Sequence, residues 1–216
     1  MRTAPLLFVS LLAAWVAPSQ DLGDKELARR LSDYATQKDA IAKVIAAGAD
    51  KVPLLLSWAA HPPADLPGLD EYFLDIALAD IFGQLKTKEA IPFLAANISM
   101  HRWPYMNPNM WRRSPQTVVE EMPAAAALIA LGRDALPNVI ETVKRTPLDP
   151  SSYEDYLAAV FVAPRIAVTP EDKNKTRDFL SATLALSKAL SAGGAPELGS
   201  WAQNGLELLS RSAEGH

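Results

Sequence analysis

Residues 78–98 read LADIFGQLKTKEAIPFLAANI, an apolar run that reaches Gly83, breaks into a polar turn, and resumes after Pro92. The same plan appears in AAGADKVPLLLSWA (46–59) and in AAAALIALGRDALPNVIETV (124–143). In each copy an apolar stretch meets a glycine, a polar turn follows, and a proline opens a second apolar stripe. Gly48, Gly83 and Gly132 fall where a helix end favours a left-handed residue, which glycine adopts without a Cβ penalty. Asp50, Thr87 or Lys88-Glu89, and Asp134 supply the start of the next helix, where an Asp or Thr side chain can accept its first N–H groups. Pro53, Pro92 and Pro137 then lie in the first turn, where a missing N–H has no helical partner to lose.

Pro53 and Pro92 are 39 residues apart, and Pro92 and Pro137 are 45 apart. Two helices and a tight turn in about 40 to 47 residues is the period of helical-pair solenoids. The lines LADIFGQLKTKEAIPFLAANI and AAAALIALGRDALPNVIETV resemble HEAT repeats, with Ala90-Ile91-Pro92 and Ala135-Leu136-Pro137 matching the small–aliphatic–Pro opening of the second helix. The resemblance covers roughly residues 37–146, with clearest repeats at 37–60, 69–98 and 115–146. It implies an all-α fold, a right-handed α-solenoid superhelix of about four to five helical pairs, and protein–protein interaction through a curved surface.

Flanking helices are expected at 24–35, 152–163, 170–192 and 196–211. Leu27, Leu31 and Tyr34 share one face of the first. Ser151 or Ser152 with Glu154 or Asp155, and Thr169 with Asp172, have the spacing of capping boxes. Gly193-Gly194 stops the penultimate helix, and Trp201 is expected in the core of the last layer. No segment alternates with period two, so strands are not expected.

The first nineteen residues, MRTAPLLFVSLLAAWVAPS, combine Arg2, an uncharged run from Ala4 to Ala17, and Ala17-Pro18-Ser19 before Gln20. That is the layout of a secretory signal peptide, leaving 20–216 as a single helical domain. The run is shorter than the ~20 apolar residues that span a bilayer, so no transmembrane segment is expected in the mature chain. Together with zero Cys, the signal points to a bacterial periplasmic or secreted protein without disulfides.

The net charge of −4 gives no support to nucleic-acid binding. Catalytic options are thin. The only His are His61, His101 and His216, and neither a zinc ligand set, a phosphate loop nor a G-x-S-x-G motif is present. No catalytic residue, metal or cofactor is therefore assigned. Asp70, Glu71, Asp75 and Asp80 cluster in LDEYFLDIALADIF, where Glu71 and Asp75 share a face; this reads as a solvated face at a helix N-terminus.

HRWPYMNPNMWRRSPQ (101–116) is different in kind. No acidic side chain occurs between Glu89 and Glu120, while Arg102, Trp103, Tyr105, Trp111, Arg112 and Arg113 gather there. Its prolines break any helix, giving a connector of about fifteen residues against the usual two to eight. Arg forks bind carboxylates and phosphates, and Trp and Tyr supply flat contact area. Two readings stand: these six residues bind a partner, or the Trp rings seal the helical array while the Arg pair with Glu120, Glu121 or acidic helix faces. The expected function is a non-catalytic binding or scaffolding module whose partner is another protein. The alternatives are an enzyme holding an anionic substrate beside 101–113, or a binder of anionic envelope glycans.

Overall fold

The computed structural model describes residues 23–102, 115–149, 151–189 and 196–214. The fold is all-α: eleven α-helices and no strand occur among the described residues. They are α1 (Asp24–Ser32), α2 (Tyr34–Ala47), α3 (Val52–Ala60), α4 (Glu71–Leu85), α5 (Ile91–Ala96), α6 (Pro115–Glu121), α7 (Pro123–Leu131), α8 (Leu136–Lys144), α9 (Tyr153–Ile166), α10 (Pro170–Ala189) and α11 (Pro196–Glu214). None is long and apolar enough to cross a membrane. The expected signal peptide and Gly193-Gly194 lie outside the described residues.

The glycine–turn–proline signal is written into the backbone at two of its three copies. Gly48 ends α2 with φ 76° and Gly132 ends α7 with φ 72°, and in both the N–H bonds back to carbonyls of the helix it closes. A short 3-10 turn follows each, and Pro53, Pro92 and Pro137 occupy the first turn of α3, α5 and α8. The acidic and Thr caps expected before these helices are not used. Lys51, Ala90 and Ala135 precede the helices already in αR geometry, and the N–H groups of Val52, Ile91 and Leu136 bond within the 3-10 turns. Few N–H groups are left there for a side chain to satisfy. Asp134 instead pairs with Lys88 of the preceding turn, 2.5 Å away, and Arg133 pairs with Asp172 at the start of α10, 2.8 Å away.

Gly83 departs from the expectation. It lies inside α4, which runs on to Leu85 and closes on Lys86 in the left-handed region at φ 53°. A Cβ on Gly83 would stand 2.9 Å from both Cα and Cβ of Ala127. The residue is glycine because α4 and α7 touch there at backbone distance.

Three flanking signals resolve differently. The single helix expected at 24–35 breaks at extended Asp33, whose carboxylate accepts the Ala35 N–H, so α2 starts afresh. Tyr34 is consequently 59 % exposed and no longer continues the buried stripe of Leu27 and Leu31. Before α9 no side chain caps the helix at Ser152; Asp149 instead builds the preceding turn, accepting from the N–H groups of Ser151 and Ser152, while Ser152 donates back to the Pro147 carbonyl. Thr169 and Asp172 do form a reciprocal box: the Thr169 N–H donates to Asp172 Oδ2 at 3.0 Å, and the Asp172 N–H to Thr169 Oγ1 at 3.2 Å.

The core follows the chain. α4 packs on α1, α2 and α7; α7 on α5, α6 and α9; α9 on α8 and α11; and α10 on α11. Leu31, Leu74, Phe82, Leu94, Leu128 and Leu157 are fully buried along this succession. Each such side chain contributes roughly 1.5–3 kcal/mol by leaving water. Buried Gln37 is satisfied by carbonyls on two elements, donating to Leu31 at 2.8 Å and Phe73 at 2.7 Å, which ties the end of α1 to α4.

Candidate functional site

Where α5 ends, residues 97–102 turn into the connector with an unusually dense set of ties. The Asn97 amide donates to the Phe93 carbonyl, closing α5, and the Met100 N–H donates to the Asn97 carbonyl. Ile98 and Met100 are buried in the core, pinning the backbone from below. Ser99 Oγ donates to Asp155 Oδ1 on α9 at 2.5 Å. Tyr72 Oη on α4 donates to the His101 carbonyl at 2.5 Å and accepts the His101 N–H at 3.1 Å. His101 Nε2 lies 3.8 Å from Glu154 Oε2.

Arg102 completes the stem. Its Nη1 and Nη2 donate to Asp80 Oδ2 and Oδ1 at 2.6 and 2.5 Å, a bidentate fork. Its Nε donates to the Glu120 carbonyl at 2.9 Å, and its backbone N–H to the Glu121 carbonyl at 2.8 Å. Residues 99–102 are thereby held by α4, by the end of α6 beside α7, and by α9.

Of the six candidate binding residues, Arg102 is the one whose place is described. It meets an acidic helix face and the Glu120 and Glu121 carbonyls, which is the packing alternative for that residue. Trp103, Tyr105, Trp111, Arg112 and Arg113 lie outside the described residues.

The four carboxylates of the 69–82 stretch do not act as one solvated face. Asp70 caps α4 by accepting the Phe73 N–H at 3.2 Å, Glu71 is exposed, and Asp80 belongs to Arg102. Asp75 is only partly exposed, and burial, helped by the Glu71 charge one turn earlier, pushes its pKa up to about 6. Burial likewise raises Asp155 above the usual carboxylate range, against the opposing pull of its bond from Ser99. Tyr72 is raised too, burial outweighing the bond to the His101 carbonyl. Of these groups, Tyr72 and Asp155 bond directly to the stem, and the bonds they make are those of an anchor.

Sequence reasoning missed Tyr72, Ser99 and Asp155. Their partners lie 29 and 56 residues away, and no local spacing announces them. Comparison with family models, with curated proteins and with solved structures yields no match.

Proposed function

We propose that this chain is an exported, non-catalytic binding or scaffolding module, a superhelix of four to five HEAT-like helical pairs that engages another protein through the connector following Arg102. The observation that carries the reading is the stem. Ser99, His101 and Arg102 are fixed to three neighbouring helices by side-chain and backbone bonds, so the Arg- and Trp-bearing stretch springs from a rigid base. A rigid base lowers the ordering cost of association, which favours binding over mere connection. The solenoid part is supported by left-handed Gly48 and Gly132, by proline in the first turn of three helices, and by ion pairs joining successive turns.

The test separates the stem from the tip. The chain bearing Arg112→Ala and Arg113→Ala, and a second bearing Trp103→Ala and Trp111→Ala, are compared with wild type in a pull-down from bacterial envelope extract. The proposal expects both to lose partners that wild type retains while melting at the wild-type temperature. Partners unchanged in both variants would overturn it; an early melt of the Trp variant would assign those rings to packing. Capture of an acidic polysaccharide rather than a protein would move the reading to the glycan alternative. Export is checked by fractionation and by the N-terminus of the recovered chain, expected at Gln20.

A further inference from the structure

Helices α9 and α11 leave between them a cleft of about 330 Å3. That lies at the lower end of the ~300–1,000 Å3 typical of small-ligand sites. Its apolar wall is aromatic: the rings of Phe161 and Trp201 have centroids 5.7 Å apart, tilted by 51°. Trp201, expected to be core, is only partly buried and lines this opening.

Arg165, one turn after Phe161, lays its guanidinium over the Phe161 ring, 3.5 Å from the centroid. One Nη donates to the Phe161 carbonyl at 2.6 Å, which fixes the fork in place. Among the described residues no carboxylate pairs with it, and the packing around it pulls its pKa down from the usual guanidinium value. A solvent-facing guanidinium held in position, with donors that no described residue takes, is a ready carboxylate site. At the mouth Arg211 makes a loose 3.8 Å contact with Glu207, and Asn204 adds an amide. The described lining residues, two Arg and one Glu, carry a charge of +1 in a chain whose net charge is −4.

We propose that the α9–α11 cleft binds a small aromatic carboxylate, its ring against Trp201 and its carboxylate on the free donors of Arg165, with Arg211 as a second cation. The volume accommodates one or two fused rings. The planar fork of Arg165 favours a planar carboxylate over a bulky head group.

The test is calorimetric titration of the full chain with 2-naphthoate, and with 2-naphthalenemethanol as the uncharged counterpart. Saturable binding of 2-naphthoate is expected, weakened about tenfold or more in the alcohol and in Arg165→Met. Arg165→Lys should fall between wild type and Arg165→Met, and Trp201→Leu should weaken both probes. Thermal melts by circular dichroism show that each variant is folded; should Arg165→Met fail, Arg165→Lys and Arg211→Met carry the comparison. No saturable heat, equal affinity for the two probes, or affinity indifferent to the Arg substitutions would overturn the proposal.

Discussion

Arg102, just past α5, grips Asp80 in the body of α4 with both Nη atoms, and the two side chains are only 31 % and 18 % exposed. The pair joins a connector to a core helix, with the Glu120 and Glu121 carbonyls absorbing two further Arg102 donors. Arg102→Ala should therefore lower stability by about 2 kcal/mol, since it strands a partly buried carboxylate as well as breaking bonds. Asp80→Asn should cost about as much. In urea denaturation the double variant should lose clearly less than the sum of the two, the sign of direct coupling. Additive losses would mean that the two side chains act separately.

Asp75 gives the chain a pH dependence with a definite sign. Its folded pKa, about 6, lies above its ordinary value of 3.8, so the folded state holds the proton more tightly than the unfolded chain does. Stability from this group is thus present at low pH and falls as pH rises from about 4 through 6, levelling off above. The loss by pH 7 is on the order of 2 kcal/mol once its partial exposure is allowed for. Asp75→Asn should stabilise the protein at pH 7 and flatten this part of the profile, read as melting temperature between pH 4 and 8. An unchanged profile would place the titration elsewhere.

Gly83→Ala should destabilise, although alanine is the better helix former by about 1 kcal/mol. The new methyl would meet Ala127 at 2.9 Å and push α4 from α7, an overpacking cost of roughly 1–3 kcal/mol. Adding Ala127→Gly should recover part of the loss, because it removes one of the two atoms struck. Denaturation midpoints of the three variants decide it; no recovery would locate the strain outside this contact.

Gly132→Ala tests a different property of glycine. A Cβ there meets nothing within 4 Å, but φ is 72°. The expected loss, roughly 1–3 kcal/mol, comes from backbone strain alone. Gly132→Asn should fare no better, since ψ of −143° lies outside the left-handed helical well that Asn tolerates, and no second-site change should rescue either variant.

The contrast between these glycines shows how far the sequence could be read. Gly48, Gly132, the three first-turn prolines and the Thr169–Asp172 box are decided within a few residues of chain, so their roles were visible in the letters. Gly83 carries the same letter in the same repeat phase, yet its reason lies on another helix. Asp50 and Asp134 look like caps, but a 3-10 turn had already used the N–H groups they would have served. At the site, the packing alternative anticipated Arg102 on an acidic helix face. The pairing of Ser99 with Asp155 across 56 residues depends on α4, α7 and α9 meeting at one edge, which no local pattern encodes.

Positions 83 and 127, separated by 44 residues, amount to a single choice of volume made in two places. In related chains the two should covary: bulk gained at one is tolerated only where it is surrendered at the other, or where α4 and α7 stand farther apart. The second route would also carry Asp80 away from Arg102. Lineages that widen this contact are expected to have replaced that ion pair, and with it the base from which the connector departs.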